Sequence, residues 1–460
     1  MDKKKKYTGV ELMRDAPVGT AIIRLALPMM ITMIAQALYN MTDVFFIGQT
    51  NDSNMVAAVA LASPLFMLSQ ALGNVFATGG ANYISRTLGA KKYDEARHAS
   101  VVSFYTAFGV GVVLTIILLL FKTPILRLIG VSDATFEHTD DYFTVVSIFM
   151  AFATTGAVMS SQVRSEGETK KAMFIMLVGI VLNVIFDPIF ILTLDMGTVG
   201  AAWATVAGQC VSYFLGLKYF ASKHSLLSIH PRDFKPNKEM MRQILSIGIP
   251  AGISNIIMSV SNILGNRVLV GYGDYVVAGN GVFMRVAGLF FMFIFAIVMG
   301  YQPFAGYNYG ANQHDRLRKG FLITVALSTG MCIVGAIILR IFGDSFIWFF
   351  IDDHNTIEAG TAILKVFIYG LPFIGAQVTL MVTFQALGKP IRAMIITIGR
   401  QLLFYVPLLF ILNELFGFDG YTWTQPAADF LTTGIAIALG MSLLKSMRGK
   451  EDDEIHKLEV

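Results

Sequence analysis

Apolar stretches of about twenty residues, each followed by a short polar interval, recur along the whole chain, and each is long enough to cross about 30 Å of hydrocarbon as a helix. Val101 to Phe121, Ala172 to Leu194, Phe321 to Leu339 and Met394 to Leu412 are examples. The pattern predicts helices at 20–48, 56–85, 99–121, 141–163, 172–194, 200–222, 243–270, 276–305, 321–341, 360–384, 394–414 and 424–444. The expectation is an all-α integral membrane protein with twelve transmembrane helices and no soluble domain of ordinary size.

Composition agrees with that reading. Hydrophobic residues make up 55% and charged residues 14%, with a mean hydropathy of +0.63, the signature of a lipid-solvated chain. Met1-Asp2 and the run Lys3 to Lys6 lead into polar residues up to Thr20 rather than a short apolar core and cleavage site. The first helix is therefore expected to be retained. The pI near 8.8 does not call for nucleic acid, because the basic residues sit in short clusters between apolar spans. Lys91, Lys92, Arg97, Arg164, Lys170, Lys171, Arg232, Lys235, Arg316, Arg318 and Lys389 fall on one side, while Lys122, Arg127 and Arg340 fall on the other. That asymmetry places both termini in the cytoplasm. Cys210 and Cys332 lie inside apolar spans and read as packing residues.

The chain also repeats itself. Shifted by about 221 residues, Gly89-Ala90, Asp94 and Arg97 fall on Gly310-Ala311, Asp315 and Arg318. Gly167 falls on Gly388, Lys171 on Arg392, and Ala172-Met173 on Ala393-Met394. With small gaps, Pro28 meets Pro250, and Gly200 with Trp203 meets Gly420 with Trp423. The expected organisation is a cytoplasmic segment 1–19, an N-lobe 20–222 of six helices, a cytoplasmic linker 223–242, a C-lobe 243–444 of six helices and a cytoplasmic tail 445–460. An even number of spans per half makes this a parallel repeat about the membrane normal, and a cavity between two such lobes, open to either side in turn, is a transporter's design.

A carboxylate near the bilayer centre costs about 2.5–3.5 kcal/mol even on lenient scales, so an intramembrane acid is a functional candidate. Gln36, Tyr39, Asn40 and Asp43 form one polar stripe on the first helix, with Pro28 an expected bend below it. Asp187, followed by Pro188, has Asn183 four residues before it on the same face of the fifth helix. Thr205, Gln209 and Ser212 stripe the sixth. Such a cluster can take up a proton, because low dielectric raises a carboxyl pKa, or ligate a small hard cation. The second half differs: its seventh helix carries the neutral stripe Asn255, Ser259, Asn262 and Asn266, and its intramembrane charges are Arg285, Arg400 and Asp429. No phosphate-binding loop, zinc-protease motif or nucleophile elbow occurs, so neither ATP hydrolysis nor another enzymatic role is expected. No cofactor is expected either, beyond a coupling ion.

These residues resemble the multidrug and toxic compound extrusion (MATE) family, in its bacterial branch. The likeness covers about 20–445 and rests on Leu27-Pro28-Met29-Met30, Thr42 to Gly48, the paired Gly-Ala loops and Gly200 to Trp203. The resemblance implies a MATE-like fold of two pseudo-symmetric lobes. It further implies export of lipophilic, often cationic, organic compounds in exchange for protons or sodium ions, by a functional unit expected to be monomeric. It matches Asp43, Asn183, Asp187 and Thr205 to an amino-lobe proton or Na⁺ site, and Gln36 and Tyr39, with Asn40 on the same stripe, to the substrate cavity. The family's other pattern, with acids in the seventh and tenth helices, is absent. Rival readings are a lipid-linked-precursor flippase, which would show more cavity cations, a major-facilitator exporter, whose loop signature is missing, and a non-transporting scaffold or receptor.

Overall fold

The computed structural model describes residues 7–50, 52–222 and 224–458. The side chains of Asn40 and Asp43 lie outside the described residues. The chain is helical throughout, with no strand among the described residues.

The helices in order are α1 (Gly9–Arg14), α2 (Val18–Gly48), α3 (Ser53–Leu61), α4 (Ser63–Gly89), α5 (Tyr93–Leu120), α6 (Lys122–Leu128), α7 (Asp133–Ile148) and α8 (Met150–Ser165). They continue as α9 (Thr169–Asp187), α10 (Gly197–Ala221), α11 (Lys238–Val270), α12 (Asp274–Gly310), α13 (His314–Phe350), α14 (His354–Ala386), α15 (Pro390–Ile398) and α16 (Val406–Leu458). Two π-helical turns, Pro188–Thr193 and Gly399–Tyr405, extend α9 and α15.

Among the described residues, eight helices are long and apolar enough to span a membrane alone, and α7 with α8, bent by 50°, makes a ninth. The segment Pro390–Lys445 counts once there, yet it reverses at Gly417 (φ 61°, ψ −137°), so that Gly420 lies against the Leu412 carbonyl. With that hairpin divided, and with α4 and α10 added, the crossing segments number twelve. Large apolar side chains such as Leu120, Ile263, Phe349 and Leu403 stay exposed, as lipid-facing positions do.

The fourth span departs from a straight helix over 141–163. It begins at Asp133 and breaks at Phe149, where the Thr115 hydroxyl from α5 donates to the Ser147 carbonyl at 2.8 Å. An outside donor on a ladder carbonyl is one recognised origin of a kink. The second span is likewise divided, at Ala62, just before Pro64.

The repeat is written into the backbone. Lys91 and Asn312 both take positive φ (59° and 56°), as do Gly167 and Gly388 (81° and 72°). The loop bonds match as well: Lys92 N–H to Thr87 O answers Gln313 N–H to Asn308 O, and Glu168 N–H to Val163 O answers Lys389 N–H to Phe384 O. One side-chain contact recurs with its roles exchanged. The Ser160 hydroxyl donates to Met176 sulfur at 3.3 Å, and the Thr397 hydroxyl donates to Met381 sulfur at 3.1 Å.

By its contacts the chain divides into two units, and the division does not fall at the linker. The first unit holds Ile31–Gly252 with the stretch up to Leu12, and the second holds Met13–Met30 with the chain from Ile253 onward. In the first, α11 starts out packed on α4: Cβ atoms on Gly79 and Gly248 would collide with the Ile244 and Val75 carbonyls. In the second, a Cβ on Gly300 of α12 would stand 2.5 Å from Ala26 Cα, and Arg316 donates to the carbonyls of Met13 (3.0 Å) and Ala16 (2.7 Å).

The linker is held in place. Glu166, 2% exposed, accepts from the Tyr219 hydroxyl at 2.6 Å, the Ser225 hydroxyl at 3.0 Å, and the Leu226 and Leu227 amides. Ser100 donates to the Ser228 carbonyl at 2.8 Å. Burial lifts the Glu166 carboxyl above the ordinary carboxylate range, and the four donors pull it part of the way back.

Candidate functional site

The site in the first unit begins with two glycines. A Cβ on Gly179 of α9 would stand 2.7 Å from the Gly208 carbonyl of α10, and one on Gly208 would meet the Gly179 carbonyl even more closely. Only hydrogen fits there, so the two backbones touch. Four residues are one helical turn, so Asn183 and Asp187 continue the Gly179 face, and Thr205 lies beside Gly208.

The crossing therefore brings the polar residues together. The Asn183 amide donates to Thr205 Oγ1 at 3.3 Å and to Asp187 Oδ1 at 3.4 Å. The Tyr39 hydroxyl of α2 lies 3.4 Å from Thr205 Oγ1. Asn183, Asp187 and Thr205 are 3%, 0% and 3% exposed. Asn183 Oδ1 has no hydrogen-bond partner among the described residues, which leaves a buried acceptor beside a hydroxyl and a carboxylate. Turning the Asn183 amide over would bring its Oδ1 to Thr205 Oγ1 and the Asp187 carboxylate in place of the nitrogen, giving an all-oxygen set that suits a small hard cation, and the carboxylate alone suits a proton.

Asp187 closes α9, and the chain then widens into the π-helical turn Pro188–Thr193, where the Leu194 amide reaches back to the Ile189 carbonyl. Pro188 has no N–H to give, and π-turns of this sort gather at functional sites.

Next to this cluster lies a cavity of about 280 Å³. Gln36, Tyr39, Asn183, Thr205, Gln209 and Ser212 supply polar lining, and Phe152, Met159, Met176 and Tyr213 are among its apolar walls. Phe152 meets Tyr213 edge to face at 5.2 Å. Among the described residues, the lining carries no charge, and Asp187, bonded to Asn183, is not part of it.

Of the sequence-derived residues, Asn183, Asp187, Thr205, Gln36 and Tyr39 are brought to one place. Asn40 and Asp43 lie outside the described side chains. Pro28 is inside α2 and belongs to the second unit's contacts. Arg285 is exposed and makes no ion pair among the described residues, whereas Arg400 pairs with Asp429. Sequence reasoning missed Ser69, Gln70 and Ser160 in the lining, and it missed the Gly179–Gly208 crossing. The signal for the crossing was the small residue at four-residue spacing from Asn183 and Asp187.

The family model MatE matches residues 28–189 and 250–411, one match in each half. The chain is 30% identical over 432 residues to the multidrug export protein MepA of Staphylococcus haemolyticus (strain JCSC1435), covering 93% of this chain and 94% of that protein. MepA of Staphylococcus aureus (strain MSSA476) is 31% identical over 441 residues, covering 96% and 97%. Among solved structures, an outward-facing multidrug resistance MATE family transporter of the MOP superfamily superposes with a TM-score of 0.90 at 26% identity, covering 96% of this chain and 99% of that one.

Proposed function

The chain belongs to the MatE family, and from that premise we propose that it is a cation-coupled antiporter exporting lipophilic, often cationic, organic compounds by alternating access. The supporting observation is the contact of Asn183 with both Thr205 and Asp187 at the edge of a partly apolar cavity whose described lining carries no charge. Coupling needs a group that changes charge beside a pocket that does not, and this arrangement supplies both.

The coupling ion, H⁺ or Na⁺, is assigned to Asp187, Asn183 and Thr205 together with Asp43 of α2. Gln36 and Tyr39, with Asn40, are assigned to substrate. Tyr39 connects the two sets, because its hydroxyl contacts Thr205 while its residue lines the cavity. Filling the ion site draws the α2 stripe toward Thr205, and the bend available at Pro28 accommodates that movement. The space left to substrate then shrinks. A gradient drives the cycle: one charge through 100 mV yields about 2.3 kcal/mol.

In this reading the protein works as a monomer in a bacterial cytoplasmic membrane, with both termini in the cytoplasm, the side that receives most loop lysines and arginines. The test is efflux of a fluorescent organic cation from vesicles with proton and sodium gradients imposed separately. Gradient-dependent efflux by the wild type, lost in D187N and in D43N while membrane insertion persists, is expected. Wild-type efflux from the double variant would overturn the site assignment, and efflux indifferent to both gradients would overturn antiport.

A further inference from the structure

The second unit contains a buried polar cluster whose members fall on the repeat partners of residues lining the first unit's cavity. The matched positive-φ glycines Gly167 and Gly388 and the exchanged Ser160–Met176 and Thr397–Met381 contacts set the offset at 221 for α14 and α15. Gln377 then stands for Gly156, and Arg400 for Gly179. Gly200 and Trp203 against Gly420 and Trp423 set it at 220 for the last span, so Gln425 stands for Thr205 and Asp429 for Gln209. All four partners line the cavity of the first unit. Where that unit has two glycines and an open space, the second has an arginine and a glutamine.

The cluster is built around Asp429, which is fully buried. Its Oδ1 accepts from Arg400 Nε at 2.6 Å and from Gln425 Nε2 at 3.2 Å. Gln377 donates to the Asp429 carbonyl at 2.8 Å and to Thr433 at 2.7 Å. Arg400 lies in the π-helical turn Gly399–Tyr405. Among the described residues its guanidinium is held by one N–H. The two terminal nitrogens make no hydrogen bond among the described residues, and the side chain is 19% exposed.

A guanidinium offers five N–H donors in a planar fork that matches a carboxylate with two parallel bonds. Leaving that fork unfilled at membrane depth is costly. Asp429 already neutralises Arg400, so a bare anion would add an uncompensated charge, whereas a zwitterion brings its own cation.

We propose that Arg400 is a specificity-determining residue whose outer N–H edge binds the carboxylate of zwitterionic organic compounds, with Asp429 as the positioning residue that holds it. The inference rests on the export reading and adds to it the residue of this chain that would recognise a substrate carboxylate.

The test uses a matched pair of xanthene dyes, one with a free carboxylate and the other its ethyl ester, with the full-length protein in lipid nanodiscs. Binding is read by fluorescence anisotropy. R400Q leaves Asp429 buried without its partner, so R400Q/D429N, which keeps a neutral hydrogen-bonded pair, is the main variant. The wild type is expected to bind both dyes. In R400Q/D429N the affinity ratio of zwitterion to ester should fall at least tenfold, and R400K should give an intermediate ratio. An unchanged ratio, or a wild type that binds only the ester, overturns this inference and leaves the export reading standing. A wild type that binds neither dye overturns both.

Discussion

A Cβ placed on Gly208 would run into the carbonyl oxygen of Gly179, so α9 and α10 cross with only backbone between them. The nearest atom is a main-chain oxygen and cannot swing away. G208A should therefore force the helices apart, at a cost of about 1–3 kcal/mol for overpacking, and should lengthen the Asn183–Thr205 contact. Thermal unfolding of the detergent-solubilised protein should show the lower stability, and vesicle efflux should fall at least tenfold. G109A in α5 offers the control, because nothing lies within 4 Å of its Cβ position and it is not part of the cavity lining.

Thr205 accepts from Asn183 and lies within reach of Tyr39 through the same oxygen. T205S keeps that oxygen and should keep most gradient-driven efflux. T205A removes it and strands a buried amide donor, a loss of about 1–3 kcal/mol, or roughly tenfold to a hundredfold in apparent affinity for the coupling ion. Titrating efflux against the imposed gradient separates this from general damage. The T205A curve should shift toward a higher ion concentration and approach a similar plateau.

Glu166 gathers four donors from α10 and the linker. E166Q replaces an all-acceptor group by one that must present an NH₂ to some of those donors. Amide exchange at Leu226 and Leu227 should accelerate about tenfold or more, since hydrogen bonds to charged groups contribute about 1.5–3 kcal/mol. The pH dependence has a definite sign. The folded protein holds this carboxyl above its ordinary range, so its contribution to stability is fully present below the unfolded pKa and is lost as pH rises through the folded value. Melting curves of the wild type from about pH 4 upward should carry that downward slope, and E166Q should lack it.

How much of this was legible in the sequence depended on the kind of signal. Twenty apolar residues in a row leave few alternatives, so the twelve spans and the all-helical fold could be read directly. Asp187 was legible because a carboxylate in such a run has no cheap explanation, and Asn183 because helical spacing puts it on the same face. The break at Phe149 was not, since neither proline nor glycine marks it and the hydroxyl that bonds the ladder carbonyl there comes from another helix. Arg400 and Asp429 were each visible as intramembrane charges. Their pairing across 29 positions depended on the hairpin at Gly417, whose register no periodicity encodes.

Pro188 follows Asp187, the carboxylate proposed for coupling, and opens the π-helical turn. Beyond that turn, Gly200 of α10 packs against the Phe190 backbone, where a Cβ would stand 2.7 Å from the carbonyl oxygen. P188A restores an N–H and lets the α-helical ladder continue through Asp187. Removing the extra residue of the π-turn would rotate everything after it by about 100° relative to a 3.6-residue helix. The Phe190–Gly200 packing would then oppose the regular helix that alanine favours, and Asp187 would be held less firmly against Asn183. Substrate binding, measured by dye anisotropy, should stay within about threefold of wild type because the cavity walls on α8 and α10 are untouched. Gradient-driven efflux should fall at least tenfold. Equal losses in binding and efflux would instead mean that the turn only supports the fold.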